Sequence, residues 1–403
     1  MALALTAGKR RPAPYLAPGG LSVVLWRRIE EAESVWQALA STVESPGQDF
    51  GFIKLWIEMQ GIDEDDCVFV AAFDDNAPVA LMPLWRHRQA GVRVLGWFPG
   101  SHVGCNAPLV DAARLAEMTP AARRKLWARM LSIVSSADVV SLRSVPKLEV
   151  NGVDIFAELG RMVETDMVHR ASFVSFEDAD RVQRNKSRRK HDRQQGERLA
   201  AMGQLEFNEL DNGPDAEKIL EVMFRQRAAR FREMGVADPF ADLTIRSFYR
   251  ATARAGSGVA VKLHVLKLKG DVVAVRYNIV HGDRLFCLIS SMAEEPALRP
   301  GSPGKQCLLR VMQTVFAEGY RVFDMGEGLT DEKRHWCNVQ VPVRHHYVPI
   351  TTLGAVAAAA QRGTHAVKAQ IKANPKLLAM AKRLRGAVNG AREDGASSQA
   401  AED

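Results

Sequence analysis

Residues 299–336 hold the densest set of side chains that could do chemistry. They open with Arg299-Pro300-Gly301-Ser302-Pro303-Gly304-Lys305 and close with Asp324-Met325-Gly326-Glu327-Gly328 and Lys333. The first group is a turn-rich loop running into an amphipathic helix. Cys307, Leu308, Val311, Met312, Val315 and Phe316 recur on one face of that helix, and Gly319 stops it. A loop of this kind, between a strand and a helix start, presents bare backbone N–H groups at the positive end of the helix dipole. That suits a diphosphate. The expected cradle runs from Arg299 and Gly301 through Ser302, Pro303 and Gly304 to Lys305, whose ammonium is a charge partner. The plain alternative is an ordinary Pro/Gly connection. Asp324 ends a strand-like run, where burying an acid is costly unless it has a partner or a task. It is the first candidate for a general base, and Glu327, in the following turn, is the second. The alternative for Asp324 is a structural acid bonded to the backbone near Gly326 and Gly328.

The rest of the chain must position these groups. Its 403 residues suit two domains with tails, and a hydrophobic fraction of 47% is enough for sizeable cores. The net charge of +7 gathers near residues 181–198 and at the C-terminal end, which fits anionic partners without choosing among them. Five cysteines, none in a CxxC pair, argue for a reducing compartment. The N-terminal order of apolar and basic residues is wrong for a secretory signal, and the apolar run 354–360 is too short to span a bilayer. A cytoplasmic protein is expected. The basic C-terminal helix is the one feature that would favour a membrane surface or an anionic polymer. His335, Cys337, His345 and His346 match no common ligand spacing, so no metal site is expected. Arg344-His345 reads as part of an exposed strand.

Strands expected at 21–26, 67–73, 79–85, 92–98 and 139–142 alternate with helices at 27–40, 49–60 and 120–134, which gives an α/β class. A second cycle starts near residue 170. It has a strand-like 171–176, a basic helix 181–202, helices 216–234 and 243–255, and a meander at 259–265, 272–280 and 284–290. Both cycles place Val-Ala after a polar turn, at Val79-Ala80 and at Val273-Ala274, a slight sign of duplication.

Arg299, Ser302 and Gly304 resemble the marked positions of motif A in the GNAT acyltransferases, with Ser302 in place of the first glycine. Phe323-Asp324-Met325-Gly326, Gly328, Lys333 and Trp336 extend the likeness to the CelD-like branch, associated with cellulose biosynthesis. Fem-type peptidyltransferases are its more distant relatives. The resemblance runs from about Arg188-Arg189 to Tyr347. One departure is Glu332, where the family often has Tyr.

The resemblance implies an α/β, tandem GNAT-like fold of two mixed sheets flanked by helices. The implied organisation is a disordered tail at 1–20, a degenerate GNAT-like domain at 21–168, a catalytic domain at 169–350, a basic helix at 351–391 and a disordered tail at 392–403. It further implies transfer of an acetyl or other acyl group from acyl-CoA to an amine or hydroxyl on a small-molecule or sugar acceptor, in polysaccharide or cell-envelope biosynthesis. The amine attacks the thioester directly, so no nucleophilic Ser or Cys is required. Lys333 would bind acceptor or stabilise charge. Arg188 and Arg189 would form the lip of the acceptor cleft, with Arg230 and Trp336 beside it. Three other readings stay open. One is a Fem-like aminoacyl transferase using charged tRNA, with the basic helix as its arm. Another is a non-catalytic scaffold of exopolysaccharide assembly. The third is a nucleic-acid-binding protein led by its charge.

Overall fold

A computed structural model describes residues 20–40, 43–134 and 136–373. The tail expected at 392–403, all but residue 20 of the tail expected at 1–20, and the expected basic helix beyond residue 373 lie outside them.

The first half contains β1 (Leu21–Trp26), α1 (Ile29–Leu39), α2 (Phe50–Gln60), β2 (Cys67–Asp74), β3 (Ala77–Gln89), β4 (Val92–Trp97), β5 (Leu109–Val110), α3 (Ala112–Glu117), α4 (Pro120–Ser132) and β6 (Val139–Pro146). A small hairpin, β7 (Glu149–Val150) and β8 (Val153–Asp154), leads into β9 (Arg161–Ser172). There follow α5 (Phe176–Gln183), α6 (Lys186–Ala200), β10 (Leu205–Asp211), α7 (Pro214–Glu233), α8 (Leu243–Ala253), β11 (Val261–Leu268), β12 (Asp271–His281) and β13 (Arg284–Met292). The chain continues through α9 (Pro303–Val315), β14 (Val322–Glu327), α10 (Asp331–Trp336), β15 (Val339–Pro349) and α11 (Thr352–Ala373).

All but β7 and β8 join one 13-stranded mixed sheet in the order β1-β2-β3-β4-β6-β15-β9-β14-β13-β12-β11-β10, with β5 beside β3. The two halves repeat one pattern. Four antiparallel strands, β1–β4 or β10–β13, are followed by a parallel neighbour, β6 or β14. The next strand in each half is exchanged. β15, from the C-terminal side, completes β6, and β9 completes β14. These two exchanged strands also pair with each other, from Val339 opposite Arg170 to Tyr347 opposite Arg161. The two expected sheets are therefore joined edge to edge, and the boundary expected at 168/169 falls inside β9.

A shared core fastens the halves further. Phe52 and Trp56 of α2 meet Phe248 of α8 edge-on, at centroid distances of 5.0 and 4.9 Å. Gly51 makes this approach possible, because a Cβ there would lie 2.2 Å from the Gly258 carbonyl oxygen.

Two expected elements come out differently. The single basic helix is broken at Arg184, which is extended, and Asn185 caps α6 by accepting from the Arg188 N–H. The strand carrying Arg344, His345 and His346 is buried rather than exposed, because α11 and the neighbouring strands β6 and β9 cover it. Burial pushes the His345 and His346 imidazoles down to about 4, and His264 on β11 to about 3. These groups fold neutral but gain protons when unfolded. Stability is therefore intact above the ordinary imidazole value near 6.5 and is lost as pH falls from there towards 4. Urea midpoints measured across that range should decline, and His345→Asn should flatten the decline. A profile identical in the two proteins would refute the assignment to His345.

Among the described residues, no helix is long and apolar enough to cross a membrane.

Candidate active site

β13 and β14 run parallel but pair only from Arg284 opposite Val322 to Phe286 opposite Asp324. Beyond that point they separate. A register shift in β13 opposite Tyr277 and Asn278 leaves Leu288 as an extra residue, and such a bulge bends a strand away from its neighbour. The opening is a cleft of about 540 Å³. Cys287 to Ser290 form one wall, Asp324 to Glu327 the other, and Thr330, Glu332 and Lys333 of the α10 region lie across it. Val103, Gly104 and Cys105 of the first half close the far side. Gly104 fits there because it has no side chain: a Cβ would stand 3.0 Å from the Gly326 Cα.

None of residues 299–305, the loop before α9, lines this cleft. Ser302 caps the helix with left-handed geometry (φ 46°), and Pro303 follows at the first helical position. The Ser302 hydroxyl accepts from Gln195 Nε2 at 2.8 Å, and Gln306 Nε2 donates to the Asp192 carbonyl at 2.8 Å, so α6 braces the loop. Gly301 is packed against Leu199, where a Cβ would come within 2.8 Å. Gly304 lines a smaller cavity of about 160 Å³, which shares Arg227, Arg276, Ser290 and Glu332 with the main cleft. Gly304 thus lines a cavity that adjoins the cleft of Asp324 and Glu327 across the Arg276–Glu332 pair. Within the expected cradle the Ser302 N–H donates to the Arg299 carbonyl at 3.1 Å and Pro303 has no N–H, so the Gly304 and Lys305 amides are the ones left for an anion.

Residues 186–334 match the family model described as an acetyltransferase (GNAT) domain. The matched segment lies largely in the second half of the chain and is similar to GNAT domains. Among solved structures, FemX is 11% identical with a TM-score of 0.52, over 79% of this chain and 95% of its own. The DUF2156 domain of a putative lysylphosphatidylglycerol synthetase from Agrobacterium fabrum is 12% identical with a TM-score of 0.49, over 82% and 94%. A tandem GNAT protein from the clavulanic acid biosynthesis pathway is 11% identical with a TM-score of 0.45, over 82% and 98%. No curated protein matches the sequence. With its repeated strand order, the fold is α/β and tandem GNAT-like.

Within the matched segment, Asp324 is buried and both its oxygens are engaged. Oδ2 accepts from Arg170 Nε at 2.8 Å, and Oδ1 accepts from the Gly326 N–H at 2.8 Å. Arg170 reaches on to Glu44 at 2.7 Å, and Glu44 to Arg284 at 3.0 Å. Burial works against the Glu44 carboxylate, but Arg170 and Arg284 hold it below the usual carboxylate range. Glu327 is placed differently. It lies where the cleft meets a second cavity, and its Oε2 accepts from the Ser144 hydroxyl at 3.1 Å. Ser144 has a left-handed backbone (φ 53°), at a point where Arg143 and Ser144 together oppose His345. Its N–H donates to His345 Nδ1 at 2.9 Å. A non-glycine residue in this conformation beside a carboxylate is strain held at a site. Lys333 Nζ donates to the carbonyls of Gly326 and Glu327 at 3.2 and 2.6 Å, and burial lowers its pKa.

The departure at Glu332 has a structural counterpart. Its carboxylate pairs with Arg276 on β12 at 2.7 Å, and Arg276 is otherwise buried. The other expected residues scatter. Arg299 pairs with Glu233 at 2.8 Å on the surface, and Lys305 lies 3.9 Å from Asp331. Arg230 pairs with Glu233 and Glu294 and lines the smaller cavity beside Gly304. Arg188 pairs with Asp192 at 3.1 Å and Arg189 with Asp180 at 2.7 Å, and neither lines the cleft. Trp336 is buried under the Arg184 guanidinium at 4.9 Å and against Phe176. Sequence reasoning did not find Glu44, Ser144, Arg170 or Arg276. Each acts through a partner far away along the chain, and no local signal marks any of them, since the left-handed φ of Ser144 is not revealed by its residue type.

Proposed function

We propose that this protein transfers an acyl group from acyl-CoA to an amine or hydroxyl acceptor, with the thioester lying between β13 and β14. One observation carries the reading. The two parallel strands part immediately after Asp324, Glu327 lines the gap, and Gly304 at the start of α9 lines the adjoining cavity. Amides of Gly304 and Lys305 would take the diphosphate, with Arg227 and Arg230 nearby. The Leu288 bulge frees main-chain amides facing the cleft, and these suit a carbonyl oxygen that gathers charge as the acceptor attacks. Glu327 is the group that removes the acceptor's proton. Asp324 is a positioning residue: with Arg170 it fixes the turn that carries Glu327. Lys333 holds the same turn from the other side. The likeness to the CelD-like branch supports an acceptor from polysaccharide or envelope chemistry, and the scattered reduced cysteines support a cytoplasmic location.

Acetyl-CoA at a hundredfold excess over its Kd should raise the melting temperature by about 5 °C or more, and labelled acetyl-CoA should yield an acylated product. No shift with any CoA thioester would sink the reading. Stabilisation by tRNA instead, with a steep salt dependence, would favour the Fem-like alternative.

A further inference from the structure

Helix α11 is seated on the sheet by one side only. Gly354, Ala358, Gln361 and His365 follow at helical spacing along that side. A Cβ at Gly354 would lie 1.7 Å from the Asp138 carbonyl oxygen, so the helix lies directly against backbone there. Ala358 is buried with Val94, Val139 and Tyr347. Gln361 accepts from the Ser141 hydroxyl at 3.4 Å, and the His365 ring stands edge-on to His345 with centroids 4.6 Å apart.

The opposite side is apolar and open. Leu353, Val356, Ala360, Gly363 and Val367 recur every three or four residues, and all are exposed. Leu353 is 50% exposed, Val356 68% and Val367 55%. The outward face of a helix in water ordinarily carries charge. Here no exposed residue from Thr352 to Val367 is charged. A continuous apolar face of this kind marks a place where something docks.

Charge says what docks. From residue 351 to residue 392 the sequence has eight Lys and Arg and no Asp or Glu. A second copy of this chain would set the same basic run against itself. A nucleic acid would answer the charge but gain nothing from Leu353, Val356 and Val367. A bilayer surface bearing anionic lipid answers both, because the apolar side chains enter the headgroup boundary while the cations stay among the headgroups.

We propose that the outer face of α11 docks on a bilayer surface that contains anionic lipid, with the helix axis lying in the plane of that surface. The attachment is peripheral and reversible, since it combines a short apolar face with a basic run. It is independent of the acyl-transfer reading, because no residue of α11 lines the cleft that holds Asp324.

Co-sedimentation of the full chain with vesicles tests it without any thioester. Vesicles of phosphatidylcholine mixed equally with phosphatidylglycerol should carry the protein down, and vesicles of phosphatidylcholine alone should not. Raising the salt to about 0.5 M should weaken the binding about tenfold or more. Leu353→Gln with Val356→Gln keeps the charge and suits a helix, and both positions are exposed, so the melting temperature should not change. This variant should bind the mixed vesicles about tenfold or more weakly and should bind tRNA no differently from the parent. Protein left in the supernatant with both kinds of vesicle overturns the proposal. So does vesicle binding that is equal in parent and variant, which would leave only a general attraction of the basic run for polyanions. A dimer in light scattering that the variant disperses, without vesicle binding, would give the face to a second copy and overturn it as well.

Discussion

Replacing Arg170 by alanine should lower the unfolding free energy by about 3–5 kcal/mol and abolish acyl transfer. Arg170 is only 7% exposed and stands between two carboxylates, Asp324 at 2.8 Å and Glu44 at 2.7 Å. Taking it away strands two buried negative charges. Glu44 keeps Arg284, and Asp324 keeps only the Gly326 N–H. Desolvation of each acid, previously offset by the guanidinium, then opposes folding. Urea denaturation with linear extrapolation measures the change. Arg170→Lys should recover only part of it, because one ammonium cannot match a planar fork that addresses both acids. A loss below about 1 kcal/mol for the alanine variant would mean that water already screens this network. Activity should fall even where the variant stays folded, since Asp324 would no longer fix the turn that aims Glu327.

Glu327→Gln is expected to reduce kcat by about 10²- to 10⁴-fold, the usual worth of a positioned base. Glutamine keeps the shape and can still accept from Ser144, so the fold and the acetyl-CoA thermal shift should be unchanged. Steady-state rates at saturating acyl-CoA provide the test. A kcat within tenfold of the parent would move the base elsewhere, with Asp324 the first candidate because it too lines the cleft. Asp324→Asn separates the two roles. If Asp324 only positions, its loss should be felt in stability as well as in rate.

Much of the second half was legible from local signals. The periodic apolar face of α9, the Pro and Gly residues before it and the strand carrying Asp324 are all short-range features, and each was placed within a few residues. What escaped depends on pairing across the chain. β9 mixes charged and apolar residues because one stretch of it lines a cavity and another carries Arg170, so its alternation does not read as a strand. β15 looked exposed because its histidines and arginine are polar, yet α11 and the flanking strands bury them. Arg188 and Arg189 looked like a cleft lip by charge and by the family resemblance. The nearby acids Asp180 and Asp192 take up that charge, a match set by the break at Arg184 rather than by any spacing rule.

The exchange of β9 and β15 also bears on how the protein is made. As the chain leaves the ribosome, β6 emerges with Val139, Val140 and Leu142 and must wait for its neighbour β15, which is made much later. β9 waits for the same segment. Until residues 339–349 are synthesised, the nascent protein shows two open strand borders, each able to capture another copy. A transcript cut short before Val339 would leave both borders permanently open and make the product a chaperone client rather than a smaller version of the protein.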